Sequence, residues 1–130
     1  YDKEKRQAVE HAAMDEVWDY YAMEGYAMAD VSAKNLGWDL EATKGITRLL
    51  IEVKGLSGSE VNVELTPNEY EKFLEKRNNY RLAILINALT EKQKLYIFQY
   101  VNNINNWTDL EENIIEIKPI KFARISLKNK

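Results

Sequence analysis

The chain has 130 residues, 45 % hydrophobic and 30 % charged, which is one domain's worth of an ordinary folded protein rather than a disordered or fibrous one. Cysteine is absent and histidine occurs once, so disulfides and thiolate metal centres are excluded and a conventional zinc site lacks ligands. The formal charge of −3 offers no overall basic surface to phosphate, and no apolar run approaches membrane-spanning length or a signal-peptide pattern, so a cytoplasmic domain without membrane partners is expected.

A chain that opens on Tyr1 rather than methionine is expected to be a single domain, residues 1–130, taken from a larger protein whose other domains could supply partners. Asp2 to Glu24 reads as an amphipathic helix: Val9, Ala13, Val17 and Tyr20 or Tyr21 recur at helical spacing, and Gly25 is a natural stop. Glu10 lies at the edge of that stripe, and His11 reads as a surface residue with nothing in the sequence to pair with it. Tyr26 to Val31 is a short extended stretch, and Ser32-Ala33-Lys34-Asn35 is a polar link to Gly37.

Trp38 to Thr43 and Leu49 to Lys54 are expected to form a hairpin around a tight turn at Lys44-Gly45. On that register Thr43 faces Ile46 and Asp39 faces Leu50; alternation then gathers Asp39, Glu52 and Lys54 on one face and Leu40, Leu49, Ile51 and Val53 on the other. A strand that turns from Leu49-Leu50-Ile51 into Glu52-Val53-Lys54 acquires two charges where burial makes them costly, which marks them as candidates for function. A slip by one residue at the turn would reverse the relation on one strand.

Gly55 to Glu60 is a loop rich in glycine and serine, and Val61 to Leu65 alternates as a half-buried strand. Thr66-Pro67-Asn68-Glu69 has the form of a helix start with a capping box, the helix running to Lys76 or Arg77 with Tyr70, Phe73 and Leu74 inside. Leu82 to Ile86 fits a central strand covered on both faces, and Lys94 to Tyr100 the next strand. Trp107, beyond a run of asparagines, is expected to close the core edge, with short extended segments at Ile114 to Ile117 and Lys121 to Leu127.

An aspartate, a hairpin and then Glu-x-Lys resemble the PD-(D/E)xK nuclease superfamily, although Trp38 stands where a proline would precede Asp39. More narrowly, Asp30-Val31-Ser32, Gly37-Trp38-Asp39-Leu40, Ile51-Glu52-Val53-Lys54-Gly55 and Leu65-Thr66-Pro67-Asn68-Glu69-Tyr70 resemble in order the C-terminal domain of plant NO VEIN proteins and of bacterial defence or helicase-associated proteins, from about Val9 to about Asn87. The resemblance implies an α/β fold, a restriction-endonuclease-like mixed β-sheet flanked by helices. It implies a nuclease of defence, restriction or repair acting on nucleic acid, DNA first, with helicase or recognition domains as partners. Asp39, Glu52 and the backbone carbonyl of Val53 would hold Mg2+ or Mn2+, hard oxygen donors suiting a hard ion. Lys54 would sit by the attacking water as a charged ammonium, since two neighbouring carboxylates favour that form. Glu10 matches an acidic residue of the first helix in such nucleases; an ordinary solvent-facing glutamate is the other reading. A non-catalytic nucleic-acid-binding or protein-assembly module on the same scaffold is the competing function, motivated by the acidic balance.

Overall fold

The computed structural model describes residues 2–121 and 123–129, and its centre is one six-stranded sheet with the order β1-β2-β3-β4-β5-β6. In chain order the elements are α1 (Lys3–Met23), β1 (Ala27–Asp30), β2 (Leu40–Lys44), β3 (Thr47–Gly55), α2 (Pro67–Glu75), β4 (Tyr80–Ile86), β5 (Lys94–Val101) and β6 (Asn106–Thr108). Neighbouring strands are antiparallel except β3 and β4, which run parallel because the connection between them crosses over through α2.

Both helices form for the reasons their sequences suggest. Asp2 caps α1 by accepting from the Lys5 N–H, and Val9, Ala13, Val17 and Tyr21, four residues apart, are its buried stripe. Tyr20, the alternative to Tyr21, faces outward. At α2 both halves of the capping box are made: the Glu69 N–H donates to Thr66 Oγ1, and the Thr66 N–H donates to Glu69 Oε1. Phe73 is the buried residue of α2 and Tyr70 packs beside it, whereas Leu74, expected inside, is half exposed.

The two helices cover opposite faces of the sheet. Under α1 lie Leu40, Ala42, Leu49, Ile51 and Ala83, continued by Leu85 against Val9 and Ala13. On the α2 face lie Leu50, Tyr80, Leu82, Ile84 and Phe98, with Phe73 stacked on Trp107 at 4.0 Å between ring centroids. Trp107 thus closes the core as expected, and does so from within β6.

The hairpin differs from the expected register. Lys44 pairs with Thr47 and Leu40 with Ile51, so the two loop residues are Gly45 and Ile46, one position later than expected. A turn on Lys44-Gly45 asks a lysine to adopt positive φ, whereas the observed loop gives that geometry to Gly45 at φ +60 and leaves Ile46 in solvent. The partners on β3 shift by two residues, an even number, so the division of faces survives: Leu50 belongs to the α2 face, Leu49 and Ile51 to the α1 face.

Val61 to Leu65 forms no strand. β3 and β4 are already paired on both sides, so the sheet has no free edge there, and Val63 and Leu65 are instead partly buried against the core of the α2 face. Of the extended segments expected near the C-terminus, only Ile114 makes a bridge, to Thr108; the described part of Lys121 to Leu127 is in no element, and Phe122 lies outside the described residues. Among the described residues no helix is long and apolar enough to cross a membrane.

Candidate functional site

Asp39, Glu52 and Lys54 come together where β2 gives out and β3 continues. Asp39 stands one residue outside the paired part of β2: its N–H donates to the Ile51 carbonyl at 2.9 Å, and its carboxylate Oδ2 accepts from the Val53 N–H at 2.9 Å. The side chain therefore takes over a β3 donor that the β2 backbone no longer reaches. This corrects the expectation that Asp39 faces Leu50; Asp39 meets Glu52 by reaching forward at the strand end. The N–H and carbonyl of one strand residue leave the same edge, so the Val53 carbonyl points to the Asp39 side as well.

Glu52, on the α2 face, is the one buried charged or polar residue of the described chain, 2 % exposed. Its Oε2 lies 3.3 Å from Lys54 Nζ, while its Oε1 is buried with no hydrogen-bond partner among the described residues. Burial, reinforced by the charges of Asp39 and Glu69 and only partly offset by Lys54, pushes the Glu52 carboxyl up to about 9. Burial also raises Asp39, against the Val53 N–H that holds its ionised form. Both shifts work against ionising the two acids together, and Lys54, 3.3 Å from Glu52, is the cation that offsets them.

The counter-charge of Lys54 comes from α2. Burial works against the ammonium, but the hydrogen bond to Glu69 at 2.9 Å, with the charges of Glu52 and Glu69, wins and raises its pKa. Glu69 is held below the ordinary carboxylate range despite its own burial, by the Thr66 N–H and by Lys54. One oxygen, Glu69 Oε1, accepts from both the Thr66 N–H and Lys54 Nζ, so the cap of α2 and the charge state of the site are the same structure. The Tyr80 hydroxyl beneath them, its pKa raised by burial and by the surrounding carboxylates, stays protonated and donates to the Gly37 carbonyl at 2.7 Å. Gly37 itself has φ +101, and a Cβ there would stand 2.6 Å from Lys72 Cγ, so only glycine lets α2 close over the approach to Asp39.

Glu10 is not part of this cluster. It is exposed on α1, whose buried stripe packs on the opposite face, and it lines an open groove with His11, Met14, Asp15, Trp18, Asp30 and Ser32. The groove neighbours the site through the backbone, because the Val31 N–H donates to the Asp39 carbonyl. His11, expected to stand alone, lies 3.3 Å from Asp15 one helical turn on. Glu69 and Tyr80 are the members of the cluster that sequence reasoning missed. The signal for Glu69 was its capping box, directly after the loop that follows Lys54; for Tyr80 the sequence carries none.

Asp39, Glu52 and the Val53 carbonyl are hard oxygen donors of the kind a divalent cation takes, and the orphaned oxygen of the buried Glu52 is the feature such an ion would satisfy. Among the described residues there is no group of three or more His, Cys, Asp or Glu side chains that could hold a metal ion.

Fold and site together define a small mixed α/β domain with two helices on a six-stranded sheet and a buried glutamate beside an aspartate and a lysine. The chain belongs to the NO VEIN C-terminal family: the family model described as "Protein NO VEIN, C-terminal" matches residues 9–98. No curated protein and no solved structure matches the chain. The matched residues run from α1 into β5, so they hold the whole acid–lysine cluster and leave out β6 with Trp107.

Proposed function

We propose that the cluster is a divalent-cation-dependent phosphodiester hydrolysis site of the PD-(D/E)xK kind, on a restriction-endonuclease-like sheet, acting on nucleic acid and first on DNA, in defence, restriction or repair. The observation that carries this reading is Glu52: a carboxyl buried beside a second carboxyl with one oxygen unpartnered, an arrangement expensive for folding and useful for binding a cation. Asp39, Glu52 and the Val53 carbonyl would hold Mg2+ or Mn2+. When bound, the ion supplies polarisation of a phosphate oxygen and a lowered pKa for bound water.

The chain's own contribution is placement. Asp39 is fixed by the Val53 N–H, so its free oxygen is aimed by the sheet rather than by a flexible loop. Lys54 keeps its charge and so acts as an electrostatic group, offsetting negative charge that develops on a phosphate, and not as a proton acceptor. Glu69 positions Lys54. Glu10, outside the cluster, receives no step.

The test is cleavage of end-labelled DNA and RNA with Mg2+ or Mn2+ by the protein with its partner domains. Asp39→Ala, Glu52→Ala and Lys54→Ala are each expected to lower the rate by at least about 100-fold while leaving the circular dichroism spectrum unchanged. Cleavage unaffected by all three substitutions, or none by the wild type, would reject the proposal. The donor count favours a second reading, since two carboxylates form no closed metal cage: a non-catalytic nucleic-acid-binding or protein-assembly module on the same scaffold. Binding without cleavage, insensitive to the three substitutions, is its signature.

A further inference from the structure

The charge of this chain is not spread evenly. Residues 118–130 contain Lys118, Lys121, Arg124, Lys128 and Lys130 and no Asp or Glu, so the formal −3 of the whole chain divides into −8 over residues 1–117 and +5 over this short stretch. Lys118 is paired with Glu116 at 3.6 Å, but Lys121, Arg124 and Lys128 are exposed and, among the described residues, in no ion pair. No helix or strand holds them.

Where the segment leaves the fold matters. Among the described residues the last hydrogen bonds to the fold are at Ile115, whose N–H donates to the Trp107 carbonyl and whose carbonyl accepts from Asn106 Nδ2. Ile115 packs against the core of the α2 face, the face that carries Glu52 and Lys54. β6 is three strands from β3, a lateral distance of about 14 Å at the usual strand spacing. Thirteen residues beyond Ile115 can span up to about 45 Å when extended. The cations can therefore lie beside any ligand held over the acid–lysine cluster.

We propose that residues 118–128 are a phosphate-binding arm, which holds the backbone of a nucleic acid across the α2 face and supplies the positive charge that the acidic sheet domain lacks. This rests on the reading of the ligand as nucleic acid but not on catalysis. Lys121, Arg124 and Lys128 make contacts indifferent to sequence, so their effect is electrostatic and falls steeply with salt.

The experiment is fluorescence anisotropy of a labelled DNA oligonucleotide with the full chain, in EDTA so that cleavage is off, from 50 to 300 mM KCl. The triple variant Lys121→Ala, Arg124→Ala, Lys128→Ala is expected to bind at least about 10-fold more weakly at the lowest salt. The slope of log K against log salt should shrink by about 2 to 3. Its melting temperature should match the wild type, since these side chains are exposed and, among the described residues, in no ion pair. An unchanged slope and affinity would overturn the proposal, as would a wild type that binds no oligonucleotide at 50 mM KCl. Binding of anionic lipid vesicles in place of DNA would overturn it too, the outcome that exposed Ile125 and Leu127 would favour. An arm-dependent DNA complex in a protein that never cleaves would sustain the arm and reject the nuclease.

Discussion

Glu52 sets the electrostatics of this domain, and its titration has a definite sign. Its folded pKa, about 9, lies above the unfolded value of 4.5. Between those values the unfolded chain holds fewer protons than the folded one, so stability is greatest below about pH 4.5 with respect to this group and is lost as pH rises toward 9. Glu52→Gln keeps the shape and removes the ionisation. It is expected to raise the melting temperature by about 5 °C near pH 8 and to flatten its fall between pH 6 and 9; a melting temperature lowered at pH 8 would mean that an ionised Glu52 supports the fold. The charges of Glu52 and Lys54 and their common face were legible in the sequence, because alternation along a strand needs no knowledge of the partner. The part played by Glu69 was not: a capping box accounts for that residue completely from local chemistry, and its second bond, to Lys54, spans a loop that no local rule predicts.

Elements place this residue set through two close approaches. Gly55, directly after Lys54, sits under α1, and a Cβ there would lie 2.8 Å from the Val9 carbonyl oxygen and 3.0 Å from Ala13 Cβ. Gly55→Ala is expected to cost about 1–3 kcal/mol in urea unfolding because α1 must move. Gly58→Ala, with open space around it, should stay within about 0.5 kcal/mol of the wild type. On the other face, Thr66→Ala removes the acceptor for the Glu69 N–H and is expected to cost about 1 kcal/mol. The hairpin shows where sequence reasoning stops. Its existence, glycine and facial parity were readable, but the choice between Lys44-Gly45 and Gly45-Ile46 turns on which residue must adopt positive φ. Val61 to Leu65 shows the converse: perfect alternation makes no strand where both neighbouring strands are already paired.

At the scale of the whole molecule, the two helices lie on opposite faces of the sheet and α2 is on the face that carries Glu52 and Lys54, which is why Glu69 and not Glu10 joins the cluster. Family membership over residues 9–98 encloses that cluster, while the core of the α2 face needs Trp107 from beyond the matched stretch. Phe73→Ala, which empties the stack under Trp107, is expected to destabilise the domain by about 3–5 kcal/mol, read from urea unfolding followed by tryptophan fluorescence. The most direct test of the central claim, that Asp39 and Glu52 form a cation site, is a crystal of this domain soaked in Mn2+ at pH 8 and measured for anomalous scattering. One strong peak is expected within about 2.3 Å of an oxygen of Asp39, of Glu52 and of the Val53 carbonyl, absent in Glu52→Gln. A well-ordered acid pair that stays protonated, with manganese bound elsewhere or nowhere, would contradict it.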